Sequence, residues 1–423
     1  MPGGLLELIA IGNEDIHLIK NPTISFFKTS YERHTNFALE TIRQNFNSEI
    51  NFGERVFCKL EPYGDLISDI ILVLELPELL PESYSNISTY SWIDSIGHAI
   101  IESYKIDIDD QTIDSQTGEW LKIWSELTLS ETKKKGYDRM TGLFNPSRAT
   151  ENSGPLKLLI PLKFWFCKNI GLSLPIITLK EKNVIISFKF RKLSECWIKK
   201  IGMEGEPDLN ITFNAYLLID YIYLDSKERI KFINDTHIYL IEQVQSSLIN
   251  MYPTHQTSLL IPLKIFKYPI KELIWVIQRL DVVKPYENDI EDFDWVGGND
   301  WFNYTNNRSL LDVNAELDTF NYATLIFNNK KRFSKLPSIY FRYAQPLKFH
   351  SNIPKSNIYV YSFALKPEEY EPTGTCNFSC IENPILVLDR DIKSKHVTNI
   401  NVKVYATNYN ILILSKDTIG LNY

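Results

Sequence analysis

NPTISFFKTSYERHTNFALE, running from Asn21 to Glu40, is the stretch whose reading decides the fold. Asn21-Pro22 is a turn signal, because proline fixes its own φ and pushes the preceding residue out of the helical region. Paired aromatics Phe26 and Phe27 follow, and the run to Phe37 contains no glycine. Aromatic and β-branched residues suit a pleated, half-buried surface. The stretch is therefore read as a long extended strand, entered through a fixed turn, at the start of a large β-protein.

The rest of the chain agrees with that reading. Val184 to Lys192 (VIISFKFRK) alternates, placing Ile186, Phe188 and Phe190 on one face and Ser187, Lys189 and Arg191 on the other. Ile358 to Leu365 puts Tyr359, Tyr361, Phe363 and Leu365 on one side. Ile400 to Ala406 repeats the pattern, and Ile411 to Leu414 adds a short apolar run. Turns rich in Pro and Asn separate these segments. Many short strands with such punctuation predict sandwiches or barrels and argue against alternating βαβ units.

Two helices interrupt the strands. Trp120, Ile123, Trp124 and Leu127 recur at helical spacing, a stripe expected to cover the end of a sandwich. Asp225 to Phe232 (DSKERIKF) begins with a capping aspartate and places Glu228 three residues on, so a short connector helix is predicted near mid-chain. The tetrapeptide Pro161-Leu162-Lys163-Phe164 recurs as Pro346-Leu347-Lys348-Phe349, about one domain later. A third Pro-Leu-Lys at Pro262 breaks the offset, so this echo is only a hint of duplication.

At 423 residues the chain has room for two domains with cores of their own, and 44% hydrophobic with 13% aromatic content makes it a folded globular protein. A net charge of −7 argues against a surface built for nucleic-acid phosphates. Met1 to Gly12 has no positively charged leader region, and no apolar run reaches bilayer length, so a soluble chain is expected. The five cysteines (Cys58, Cys167, Cys196, Cys376, Cys380) are scattered and read as reduced thiols.

No catalytic constellation emerges. Phosphate-cradling glycine patterns, H-E-x-x-H and G-x-S-x-G are all absent. Asp107 to Gln111 begins like a calcium loop, but Thr112 stands where the turn requires glycine and Gly118 where a closing glutamate is needed. The acidic run Glu287 to Asp300 reads as a solvated loop tip. No enzyme, cofactor or metal is expected.

A series of blocks along the chain resembles the double jelly-roll major capsid proteins of nucleocytoplasmic large DNA viruses. Gly3-Gly4-Leu5 with Leu8, Ala10 and Gly12 is similar to the family's N-terminal arm. Asn21 to Lys28 and Tyr31 to Ala38 resemble the entry to the first barrel, followed by Phe52-Gly53 and Gly64-Asp65-Leu66-Ile67. Asp220-Tyr221-Ile222, Leu224-Asp225 and Glu228-Arg229 are similar to the inter-barrel connector, and Tyr239 to Gln243 to the first strand of the second barrel. Tyr361 to Pro367, Pro372 to Ser379 and Tyr405 to Leu412 complete the series. Cys380 departs from the family, which usually has a basic residue there, and 286–329 shows no match.

The resemblance implies a mainly β protein: two consecutive eight-stranded jelly rolls, with short helices in loops and at the connector. The implied division is an arm (1–24), a first jelly roll (25–224), a connector helix (225–235) and a second jelly roll (236–423). It implies a structural capsid protein, forming pseudo-hexagonal homotrimers that tile an icosahedral shell. A transient scaffold, a minor capsid paralogue or, from another class, a carbohydrate-binding or carbohydrate-active β-sandwich is the alternative. Expected partners are further copies of the chain, neighbouring capsomers, minor capsid proteins and internal viral membrane proteins at the capsomer base, with no direct nucleic acid. The implied location is the virion capsid, assembled in the host cytoplasm. Structural motif residues carried over are Asn21, Pro22, Phe26, Phe27, Arg33, His34, Asn36, Phe37, Gly64, Asp65, Glu242, Gln243, Pro372, Gly374, Thr375, Asn377 and Phe378, with Phe26, Phe27 and Phe37 as core anchors.

Overall fold

The computed structural model describes residues 3–13, 15–29, 31–79, 90–143, 155–199, 207–208, 210–252, 256–280, 282–283, 299–305, 318–390, 399–416 and 418–422. They fall into two compact units, Met1–Asn36 and Phe37–Tyr423.

The first unit contains two short helices, α1 (Gly3–Ile9) and α2 (Ile16–Ile19), and no strand among its described residues. The expected long strand over the opening stretch is therefore corrected, because pairing begins only at β1 (Phe37–Asn45). The reason lies in the partner. Phe37 pairs with Leu224, the last residue of its neighbour, and beyond Leu224 that chain turns into a helix. Residues before Phe37 thus have no ladder to extend. Phe26 and Phe27 are 88% and 100% exposed, so neither is a core anchor within this chain. Phe37 is also not one: Ile42 and Gln44 point inward on β1, and alternation turns Phe37 to the outer face.

The remaining strands explain themselves by periodicity. After β1 come β2 (Arg55–Lys59), β3 (Leu66–Leu76), β4 (Ile101–Ile108), β5 (Gln111–Gln116), β6 (Leu156–Pro161), β7 (Val184–Phe190) and β8 (Asn214–Leu224). They form two four-stranded antiparallel sheets, β1-β8-β3-β6 and β2-β7-β4-β5. On β7 the predicted alternation holds, with Ile186, Phe188 and Phe190 buried in the sandwich. The acidic turn joining β4 to β5 has Asp109 and Asp110 at φ 45° and 65°, the left-handed pair of a tight hairpin. Lys182 and Lys105 neutralise Asp109 and Asp107 at 2.9 and 2.7 Å, so lysines hold these carboxylates.

The second set is β9 (His237–Tyr252), β10 (Ser258–Pro262), β11 (Pro269–Arg279), β12 (Tyr322–Phe327), β13 (Lys330–Pro337), β14 (Tyr359–Ser362), β15 (Pro384–Asp389) and β16 (Ile400–Leu414). Its sheets run β9-β16-β11-β14 and β10-β15-β12-β13. Counted from each first strand, this is the same order as before, with the last strand inserted between the first and third. Each half is therefore an eight-stranded jelly roll, which pairs strands between two packed sheets. The Pro-Leu-Lys-Phe echo does not report this duplication. Pro161 ends β6, whereas Pro346 lies in the short helix Gln345–Phe349 before β14, so the two copies are not equivalent.

Between the barrels runs helix α4 (Ser226–Asn234), introduced here after α3 (Gly118–Thr128) of the first barrel. Asp225 occupies its N-cap without the expected side-chain hydrogen bond. The helix is held from outside instead: Arg229 pairs with Asp65 at 3.0 Å, and Thr178 Oγ1 donates to the Phe232 carbonyl at 2.6 Å. No helix among the described residues is long and apolar enough to cross a membrane.

Candidate functional site

The densest functional geometry lies where the two barrels meet. Helix α3 is inserted between β5 and β6, and Thr117 caps it by accepting from the Trp120 amide at 3.1 Å. Gly118 is required there: a Cβ would stand 2.0 Å from the His98 carbonyl oxygen and 2.5 Å from that of Ile101. The stripe Trp120, Ile123, Trp124 and Leu127 is buried, but it does not cover the end of a sandwich as the spacing suggested. It packs on the outer face of the second barrel, against Ile274, Val276, Ile358, Val360 and Tyr405. That face is apolar because both sides of β11 are covered, one by its own core and one by α3. Trp120 stacks between Trp124 and Tyr405, with ring centroids 5.3 and 5.5 Å away.

A rim of buried polar groups surrounds this apolar patch. Glu119 Oε2 accepts from Lys403 Nζ at 2.8 Å and the Tyr405 hydroxyl at 2.9 Å, while Oε1 accepts from the Tyr304 hydroxyl at 2.8 Å. Glu126 accepts from the Ser356 amide and hydroxyl at 3.1 and 3.0 Å and pairs with Lys122 at 3.3 Å. Glu242 joins Lys168 of the first barrel, at 3.0 Å, to Lys271 of the second. Burial alone would push its carboxyl up, but the two ammonium groups outweigh this and hold it below the usual range. Gln243 donates to the Ile113 carbonyl of β5 and accepts from Asn410 at 2.9 Å. Both motif residues on β9 thus serve the joint.

His350 forms a second charged centre. Its side chain is inaccessible to solvent, lying 3.0 Å from Glu272 and 2.9 Å from Glu368 through its two ring nitrogens, with the edge of Trp124 nearby. Nδ1 hydrogen-bonds Glu368, while Nε2 faces the Glu272 carboxylate at ion-pair distance without hydrogen-bond geometry, so two acidic groups flank the ring. Burial would lower its pKa, yet the two carboxylates raise it to about 9. The folded value exceeds the unfolded one of about 6.5, so the native state binds more protons. The stabilisation is fully present below about pH 6.5 and disappears as pH rises through about 9, a span of roughly 3 kcal/mol. Thermal melting from pH 6 to 10 should therefore show a steeper alkaline loss in the natural chain than in His350→Gln. Equal slopes would refute this assignment.

The other motif residues are dispersed. Asp65 is buried and accepts from the Leu224 amide at 2.9 Å while pairing with Arg229, tying β3 to the end of β8 and the connector. Gly64 allows close contact, since a Cβ would lie 2.8 Å from Tyr221 Cβ. Gly374 adopts φ +135°, where a side chain would also meet the Phe363 carbonyl oxygen at 2.9 Å. Asn377 caps the turn after it by accepting from the Ser379 amide at 3.0 Å, and Phe378 is buried against Phe327 and Phe363. Pro372 and Thr375 are exposed in the same loop. Asn21, Pro22, Arg33, His34 and Asn36 are exposed along the first unit, Asn21 with φ 54°. The joint residues that sequence reading missed include Lys271, Glu272, Lys403 and His350. For Lys271, Glu272 and Lys403 the signal was a charge inside an otherwise apolar strand, as in IKELIWVIQR and INVKVYA.

Among the described residues no His, Cys, Asp and Glu group could hold a metal ion. Cys58 and Cys196 are free and buried, and burial pushes the Cys58 thiol up to about 12. The acidic run Glu287 to Asp300 lies mostly outside the described residues. What the arrangement can do is mechanical: it locks two like barrels into one body.

Comparison with known proteins follows the same division. The family model "Major capsid protein N-terminus" matches residues 25–225, and "Large eukaryotic DNA virus major capsid protein" matches 228–420. The major capsid protein of Pyramimonas orientalis virus is 35% identical, and that of Phaeocystis pouchetii virus 33%, each aligned over the whole of both chains. A chain of the PBCV-1 virus capsid superimposes with TM-score 0.76 at 27% identity, covering 94% of this chain and 100% of that one. The Faustovirus major capsid protein shares the fold at TM-score 0.74 and 11% identity, over 96% of this chain and 94% of that one.

Proposed function

The chain belongs to the major capsid protein family of large eukaryotic DNA viruses, and on that premise we propose that it works as a homotrimeric capsomer whose six barrels give a pseudo-hexagonal outline. Such trimers tile an icosahedral shell. The observation that carries this reading is the joint: two jelly rolls of identical strand order are locked together by α3 and a ring of buried ion pairs. Each copy then supplies two similar towers held at a fixed spacing, and a closed ring of three copies supplies six. The role is geometric and calls for no catalytic group.

The proposed division is an arm (1–24), a first jelly roll (25–224), the 225–235 connector and a second jelly roll from 236. Proposed partners are copies of the same chain, neighbouring capsomers, minor capsid proteins and internal membrane proteins at the capsomer base, with assembly in the host cytoplasm. The first compact unit supports this, since Phe26, Phe27 and Leu18 (83% exposed) are apolar groups that this chain leaves open for other molecules. Light scattering of the purified chain should give a trimer, and particle images a three-fold object with a hexagonal footprint. A chain that stays monomeric at high concentration would overturn the reading. Deleting residues 1–20 should abolish higher assembly while leaving the barrels' melting temperature unchanged; equal losses of both would count against an assembly role for the arm.

A further inference from the structure

We propose that a shallow concavity at one end of the second barrel's β10-β15-β12-β13 sheet is a binding site for a carboxylated sugar. Arg390 and Lys335 take the carboxylate, Tyr322 stacks on the ring, and Asp389 with Asn321 meets the hydroxyls. The site lies within one chain and does not depend on the trimeric reading.

The register builds its floor. Ser258, Asp389, Tyr322 and Pro337 stand opposite one another across the four strands, so they share one face of the sheet. That face is the outer one, because the next residues along, Leu259, Leu388 and Ala323, are buried in the core. Asn321, Lys335 and Arg390 join Ser258, Asp389 and Tyr322 around a cavity of about 350 Å³. Tyr322 is 45% exposed there. Lys335 is brought in by a bulge: β13 carries an extra residue between its pairs with Ala323 and Leu325, and Lys335 adopts φ 45°. Bulges of this kind re-aim a side chain.

Arg390 is the decisive group. Its amide donates to the Thr257 carbonyl at 2.7 Å and its Nε to the Thr319 carbonyl at 3.1 Å, which fixes the guanidinium at the cavity's edge. Nη1 is buried with no acceptor among the described residues, and so is the Thr319 hydroxyl beside it. Burial lowers the arginine's pKa with no acidic group acting against it. A half-buried cation without a counter-charge is costly, and a bound anion removes that cost. The adjacent Asp389 does not supply the charge: it accepts from Ser258 Oγ at 3.2 Å and faces Lys335 at 3.9 Å. On the equivalent β2-β7-β4-β5 sheet of the first barrel, Lys189 and Lys105 are matched by Glu102 and Asp107 at 2.6 and 2.7 Å.

The lining groups select the ligand class. A fixed guanidinium beside an exposed lysine suits a carboxylate. The open tyrosine face suits the C–H side of a sugar ring. Asp389 keeps lone pairs for sugar hydroxyls, and its own charge disfavours a densely charged polyphosphate.

The test passes the full chain over immobilised polygalacturonate, a sialic acid polymer, neutral dextran and polyglutamate in a surface-plasmon measurement. Binding to either carboxylated sugar polymer, with none to dextran or polyglutamate, is the expected result, and free galacturonate should compete where inorganic phosphate does not. Tyr322→Ala and Arg390→Gln should each weaken binding by about tenfold or more. Tyr322→Ala should leave the melting temperature unchanged, because the ring is half open. Lys335→Gln is a second charge variant that spares the fold, its side chain being 72% exposed, and it should weaken binding in the same direction. No binding to either carboxylated polymer, equal binding to dextran or polyglutamate, equal competition by phosphate, or full binding by Tyr322→Ala would each overturn the proposal.

Discussion

Trp120→Ala is expected to destabilise the protein by about 3–5 kcal/mol, the range for emptying a fully buried tryptophan site. Trp120 has no exposed surface and sits at the centre of the cluster joining α3 to β11, β14 and β16. Its removal leaves a void that α3 cannot close, because Gly118 is pinned against the His98 and Ile101 carbonyls and Glu119 is held by Lys403 and the Tyr304 and Tyr405 hydroxyls. The loss falls on the joint more than on either sandwich. Calorimetry should therefore show a lower first transition and a separation of the two barrels' unfolding, against the single transition expected of the natural chain. A loss below about 1 kcal/mol, or a single transition shifted as a whole, would show that the joint does not couple the barrels.

Glu242→Gln is expected to cost a similar amount, about 3–5 kcal/mol, for a different reason. Lys271 is 1% exposed at its side chain, and Glu242 supplies its charge partner. Neutralising that carboxylate leaves a buried cation without its directly paired charge, held by neutral acceptors, the Glu369 carbonyl at 3.4 Å among them, by the Tyr409 ring 5.0 Å from its nitrogen, and by the weaker attraction of Glu272. An uncompensated buried charge costs far more than the intact pair contributes. Adding Lys271→Met to Glu242→Gln should therefore recover about 1–4 kcal/mol, because no stranded cation remains. Urea unfolding of the two single variants and the double variant measures the coupling directly. If the double variant is no more stable than Glu242→Gln, the cost does not come from an orphaned Lys271.

Particular elements show how far sequence reading reached. Alternation over Val184 to Phe190 specified both the strand and its buried face, because side chains on a strand point to opposite sides whatever surrounds them. The same reasoning misjudged Ile358 to Leu365. Ile358 and Val360 are as buried as Tyr359, while Leu365 is 71% exposed, since α3 covers one face and the strand stops at Ser362. The opening stretch NPTISFFKTSYERHTNFALE had the composition of a strand, but a strand forms only where a neighbour offers hydrogen bonds, and that neighbour ends at Leu224. The capping pattern at Asp225 located its helix correctly, although the stabilising contact comes from Asp65.

By itself the sequence determined what is local and repeated: which segments alternate, where the chain turns, where the connector helix falls, and which family the ordered motif blocks resemble. Only the tertiary structure decided the rest. It showed that both halves have one strand order, that α3 belongs to the joint, and that Glu119 meets Lys403 while Lys168 and Lys271 share Glu242. Backbone preferences act over a few residues and leave their mark in a short window of sequence. A contact between residues hundreds of positions apart depends on how whole sheets pack, and a buried charge becomes legible only once its partner is in place.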